Sequence, residues 1–171
     1  MFLSRKFLYV LVFLSAAHFF TGCSMGDNEI EDTGFIPAGI WDSGFDSYEI
    51  TNNSLYYFME GSEWEGVQWP PTILKGNIAE AVDFSANAGV LIIRVSEASS
   101  NTVGSYTGVY YRDFTGSSIR LATAIGPAPD FLPIEVTSLS AALSLFTVDN
   151  SIVHIIDWSI IAPYNLRLSA Q

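Results

Sequence analysis

TILKGNIAEAVDF (residues 72–84), a turn over 85–89 and VLIIRV (residues 90–95) form the stretch that decides how this chain folds. In the first segment Leu74, Ile78, Val82 and Phe84 alternate with Lys75, Asn77 and Asp83, the period of a strand with one face in a core. Ser85–Gly89 carries the small and turn-forming residues that reverse the chain. Val90–Val95 is a compact apolar run and predicts an antiparallel neighbour to the first strand. Arg94 breaks that run. A lone interior arginine needs a partner, so Arg94 either faces solvent or pairs with a carboxylate such as Glu80.

The same period continues on both sides. Gly39–Asp42 and Tyr48–Thr51 are short extended pieces, and Asn52-Asn53 makes a tight turn into Ser54–Met59. Glu60–Pro71 is expected as a loop carrying Trp64, Trp69, Glu60, Glu63 and Glu65. Val103–Phe114 and Ser118–Ile125 read as a hairpin across Thr115-Gly116-Ser117, and Pro127–Pro133 as a proline-rich loop. One helix is expected, Leu139–Phe146, capped by Ser138 or Ser140, with Leu139, Leu143 and Phe146 as its stripe. Ile152–Ile156 and Tyr164–Leu168 are expected as closing strands. About eight strands with one late helix predict an all-β, antiparallel barrel or sandwich. Barrel closure removes exposed strand edges.

The N-terminus reads differently. Arg5 and Lys6 precede an apolar run, Phe7–Phe20, too short to span a bilayer comfortably, and FTGC closes it at Cys23, the only cysteine of the chain. This is a signal-peptide pattern over residues 1–22, and its last four residues resemble a bacterial lipobox. The resemblance implies cleavage before Cys23, acylation of its thiol and of the new N-terminus (diacylglycerol and palmitate-type chains), and a membrane contact made through lipid. Ser24, by the common enteric rule, does not retain such a protein in the inner membrane, so the outer membrane is the expected place. Residues 23–38, acidic and without apolar period, are expected as a lipidated tether, and 39–171 as the domain.

Removing residues 1–22 leaves five basic against 18 acidic residues, a net charge of −13. A surface so acidic excludes nucleic acid as an expected partner and disfavours anionic headgroups. A domain of this size needs no disulfide or metal for stability. With the only thiol committed to lipid and His154 the one histidine after the signal, zinc sites of the common types are excluded.

Two further resemblances concern the domain. Gly39-Ile40-Trp41 resembles the Gly-x-Trp signature of the lipocalins. In that family the tryptophan plugs the closed barrel end and a late-strand arginine packs over it. Arg167 is the positional match for that arginine, Arg120 the second. The chain as a whole resembles small, acidic lipoproteins of host-associated, treponeme-type spirochaetes. GIWDSGFDSYEIT, TVGSYTGVYYRDFTGSSIRLATA and SAALSLFTVDN carry that likeness, which implies an envelope lipoprotein with one β-rich domain and brings no catalytic residues.

Catalytic patterns are missing where they are sought. Asp157 lies three residues after His154 and so on the opposite face of a strand, no serine occupies a Gly-x-Ser-x-Gly elbow, and no phosphate-binding glycine loop occurs. No cofactor is expected. Acid beside aromatic in the 60–71 loop is the composition of many sugar sites, yet spacing alone cannot set two carboxylates across a bond. Trp64 and Trp69, with Tyr106 and Tyr110 beside the small Gly104 and Gly108, are the candidate ligand-binding residues. Trp41 and Arg167 are the structural candidates. The expected function is a non-catalytic envelope binding module for a small apolar or amphipathic ligand or a protein partner. The alternatives are a filled-barrel structural or host-contact lipoprotein and, third, a carboxylate-based hydrolase.

Overall fold

In the computed structural model residues 34–64, 66–127, 130–150 and 161–167 are described, and among them lie eleven strands and one helix. The strands are β1 (Gly39–Asp42), β2 (Asp46–Ile50), β3 (Ser54–Met59), β4 (Ser62–Trp64), β5 (Val67–Trp69), β6 (Thr72–Ser85), β7 (Ala88–Ala98), β8 (Tyr106–Arg112), β9 (Ser118–Thr123), β10 (Glu135–Val136) and β11 (Tyr164–Leu166). The helix, α1, spans Leu139–Leu145 and sits between β10 and β11. Cys23, the segment 1–22, the tether up to residue 33, and His154, Asp157 and the 152–156 strand lie outside the described residues.

Eight strands close a ring. β1, β2, β3, β6, β7, β8 and β9 follow one another as an antiparallel meander, and β11 enters between β9 and β1 to complete the barrel. The fold is therefore the expected all-β, closed antiparallel barrel with one short helix. β8 shares its second edge, with β9 along Val109–Arg112 and β10 along Tyr106–Thr107. The 60–71 segment, expected as a loop, contains the β4–β5 hairpin instead, with Ser62 opposite Trp69 and Trp64 opposite Val67.

Alternation fills the lumen. Trp41, Tyr48, Ile50, Leu55, Leu74, Leu91, Ile93, Val95, Val109, Tyr111, Ile119, Leu121 and Tyr164 form one buried cluster. A second buried cluster lies outside the wall, where Val90, Ile92, Tyr110 and Ala124 meet Ala142 and Phe146 of the helix region. β7 is thus apolar on both faces, which explains why VLIIRV is a run and not an alternation. Arg94 ends the run by facing solvent, opposite Asn77 and Tyr106 and not Glu80.

A bulge decides the two clusters. Ile78 pairs with Ile93 and Glu80 with Ile92, so Ala79 is an extra residue in β6. The inserted residue flips the parity of all that follows. Leu74 and Ile78 point into the lumen cluster, while Val82 and Phe84, expected on the same face, join the outer cluster.

Ser138 caps α1, its hydroxyl accepting from the Ala141 N–H at 3.3 Å. The buried stripe is Leu139, Ala142, Leu145 and Phe146. Leu143, expected on that stripe, is exposed. Two turns are too few for a helix to hold itself together, so packing against Val90, Ile92 and Tyr110 stabilises it.

The barrel is closed at one end. Residues 34–38, expected as tether, cross that end: Gly34 N–H donates to Ala81 O, and Phe35 N–H to the Asp83 carboxyl at 3.0 Å. Tyr111 donates to the same carboxyl at 2.7 Å. Phe35 packs on Phe114 at 4.9 Å between centroids, and Phe114 meets Trp41 edge-on at 6.0 Å. Residues 34–38 are accordingly part of the barrel and not of a tether.

Candidate functional site

At the opposite end β1, β3, β7 and β9 finish, β2, β6, β8 and β11 begin, and a cavity of about 550 Å³ opens. Its wall is built from Tyr48, Tyr57, Leu74, Leu121 and Tyr164 of the strands, and its rim from Phe45, Met59, Phe131, Pro133, Ile161 and Ala162. Apolar side chains dominate, and a few polar groups converge among them, the usual make-up of a small-molecule site. The 126–133 segment is held over the rim by Gly126 N–H to Leu132 O at 2.7 Å and by the Ile125–Pro133 bridge. Phe131 sits there at φ +45°, a conformation that bulky residues adopt at a cost of about 1 kcal/mol.

Asp46 organises the polar side of the cavity. Its carboxyl accepts from Tyr164 OH at 2.7 Å, from Tyr57 OH at 3.1 Å and from the Ser43 hydroxyl. Tyr48 shares a 3.4 Å hydrogen bond with Thr123. The rings of Tyr48 and Tyr57 are 4.6 Å apart, those of Tyr48 and Tyr164 5.3 Å and edge-on. Burial, reinforced by the Asp46 charge, pushes all three phenols upward from the ordinary tyrosine value, and the Thr123 bond offsets part of this for Tyr48. All three stay protonated at neutral pH, so Tyr57 and Tyr164 keep donating to Asp46. The β2–β3 register puts Tyr48 opposite Tyr57, and closure by β11 brings Tyr164 to the same place from 118 residues away from Asp46.

No protein-family model matches the chain, and comparison with curated proteins and with solved structures gave no match. The geometry has to carry the reading alone.

Trp41 lies inside the barrel at its closed end, the place that the Gly-x-Trp resemblance implies, 1 % exposed, with Nε1 donating to Pro37 O at 2.8 Å. Arg167 does not pack over it. Trp41 faces Leu166 across the β1–β11 pair, so the next residue, Arg167, has the opposite parity and points outward, to Asp42 at 3.7 Å. Arg120 also faces outward, donating to Ile161 O at 2.6 Å and pairing with Asp113 at 3.2 Å. Phe35 and Phe114, not an arginine, close the floor.

Tyr106 and Tyr110 are not in the cavity. Both face the outer cluster, where Tyr110 meets Phe146 edge-on at 6.3 Å and Phe84 at 6.1 Å. The small residue beside them, Gly108, makes room for Phe146 and not for a ligand: a Cβ there would lie 2.8 Å from the ring. Trp64 and Trp69 stand in the β4–β5 hairpin, at the mouth end because Met59 and Thr72, its flanks, are paired there. Their side chains lie outside the described residues.

The cavity residues Asp46, Tyr48, Tyr57 and Tyr164 escaped the sequence reading. Part of the signal was present, since the Asn52-Asn53 turn fixes the register that pairs Tyr48 with Tyr57. The role of Asp46 was not, because its donors come from three separate segments. Among the described residues no group of three or more His, Cys, Asp or Glu side chains is placed to hold a metal ion.

Proposed function

We propose that this protein is a lipid-anchored lipoprotein of the cell envelope whose barrel binds a small apolar or amphipathic ligand without catalysing a reaction on it. The observation that carries the binding reading is the cavity of about 550 Å³, apolar in most of its lining and with hydroxyls and one carboxyl gathered on one side. Cavities of this size and lining are where proteins hold small molecules. The anchor rests on the FTGC motif after an apolar run, with acyl chains on Cys23 and outer-membrane placement. The outer wall supports a barrel that stands in water: Glu49, Lys75, Asn77, Arg94 and Glu97 project from it, and charges on a lipid-facing wall are costly. No cofactor and no nucleic acid enter this reading.

A second reading, a protein partner at the mouth, is favoured by the apolar residues exposed around it. Phe45 is 85 % exposed and Leu132 66 %, and Val67, Val103 and Phe131 accompany them. Exposed apolar residues concentrated in one place mark interaction surfaces.

Native mass spectrometry on the full protein purified from its own host, set against a denatured control, tests the proposal. Mass lost on denaturation identifies a carried ligand. An apo mass sends the search to a partner at the rim and sinks the tight-binding role. Labelling with a palmitate analogue tests the anchor: Cys23→Ala is expected to lose the label, and retained label refutes lipidation at that residue.

A further inference from the structure

We infer that the mouth cavity selects organic cations, an ammonium head on an apolar body, with the head beside the Asp46 carboxyl among the rings of Tyr48, Tyr57 and Tyr164. The inference rests on the cavity being a ligand site and names the class of ligand.

Charge is the first argument. Asp46 is the only acidic residue among the described lining, and no Lys, Arg or His is there to balance it. Its partners are hydroxyls, and among the described residues it makes no ion pair. A carboxylate offers about four acceptor positions. Three are taken by hydroxyls, which leaves one for an N–H of a ligand. The basic residues of the barrel are engaged or directed elsewhere: Lys75 with Glu97, Arg167 with Asp42, Arg112 and Arg120 with Asp113, and Arg94 into solvent on the wall.

Ring geometry is the second. Three tyrosines, packed on one another at 4.6 and 5.3 Å, line the cavity beside one carboxylate, and aromatic rings next to a negative charge are where ammonium groups are held. The approach has the same sign, because Glu60 and Glu63 of the β3–β5 connection and Asp130 of the 126–133 segment are exposed at the mouth. A fatty acid would bring its carboxylate to Asp46, and the described lining holds no cation to receive it. An alcohol would gain one hydrogen bond and no charge attraction.

Three ligands with one chain and different heads, octylammonium, 1-octanol and octanoate, decide the matter by titration calorimetry on the full-length protein at neutral pH. Octylammonium is expected to bind about tenfold tighter than 1-octanol, octanoate more weakly than both, and Asp46→Asn to reduce octylammonium to the affinity of 1-octanol. If 1-octanol binds as tightly as octylammonium, or octanoate binds tightest, the cation inference is overturned and the apolar cavity stands. If none of the three binds, both fall. The order of heads is read on the unaltered chain, so it decides even where Asp46→Asn fails to fold.

Discussion

Gly108→Ala separates the two faces of β8 more sharply than any other single change. A methyl at Gly108 would meet Phe146 at 2.8, 3.0 and 3.2 Å from Cδ1, Cγ and Cε1. The ring must withdraw by roughly 0.6 Å to reach ordinary contact. It has little room, being 1 % exposed and wedged against Tyr110. Overpacking of this kind costs about 1–3 kcal/mol, and replacing glycine in a strand returns about 0.5–1 kcal/mol. The balance is a loss of up to about 2.5 kcal/mol, centred on about 1 kcal/mol, which is roughly 3–5 °C in Tm for a domain of this size. The damage should be local, because Phe146 belongs to the outer layer that packs α1 on the wall, and β2 and β3 contribute nothing to that layer. Thermal unfolding measures the loss, and hydrogen exchange should find the amides of 139–146 deprotected while β2 and β3 keep their protection. Octylammonium affinity should not change, since Gly108 points away from the cavity. A Phe146→Leu change in the Gly108→Ala background should recover part of the Tm. An unchanged Tm with α1 fully protected and an altered ligand affinity would mean that Gly108, Tyr106 and Tyr110 face the lumen, and the outer-layer assignment would be wrong.

Other perturbations test other parts of the molecule. Trp41→Ala leaves a cavity at the closed end and should cost about 3–5 kcal/mol in a denaturant titration; a loss under about 1 kcal/mol would show that the indole does not plug the barrel. Tyr48, Tyr57, Tyr110, Tyr111 and Tyr164 all have phenols raised by burial. Their unfolded counterparts release protons from about pH 10 upward, so stability is full below that pH and falls above it; the tyrosinate absorbance of these five of the eight tyrosines should rise together with loss of the β-sheet signal, and ionisation of more than three tyrosines ahead of unfolding would contradict the burial. Glu135 is held below its ordinary value: partial burial opposes this, and donors from Thr102 and Ser105 outweigh it. Its contribution is present above the unfolded glutamate value and is lost as pH falls through the folded one, so the protection factors of residues 99–105, corrected for the intrinsic slowing of exchange, should fall in acid. Glu135→Gln should show the lowered protection already at neutral pH with a global loss under about 1 kcal/mol, because the group is mostly solvated; a protection profile against pH identical in the variant and the parent would refute the role.

Much of this fold was legible locally. A period of two marks a strand because successive side chains leave the pleat on opposite sides. That period is present in β2, β3, β6, β8 and β9, and turn residues mark most of their ends. Ser138, one of the two serines expected to cap the helix, does so, and Trp41 is buried as the resemblance carried by Gly39-Ile40-Trp41 implies. These features need only neighbours in the chain. Which face meets which layer is another matter. The extra residue Ala79 turns Val82 and Phe84 outward, and only pairing with β7 reveals it as a bulge. Gly108 looks like a gap until Phe146 occupies it from 38 positions away. Arg167 missed Trp41 by one step of register with a strand at the far end of the chain. The sequence by itself determined most strands of the ring and their hairpins, the helix over 139–145 and the acidic charge, but not the β4–β5 hairpin or β10. Tertiary structure alone decided where the lumen is and what lines it, because Asp46, Tyr57 and Tyr164 become neighbours only when the ring closes. Alternation along a strand distinguishes two faces and cannot say which of them the closed wall will enclose.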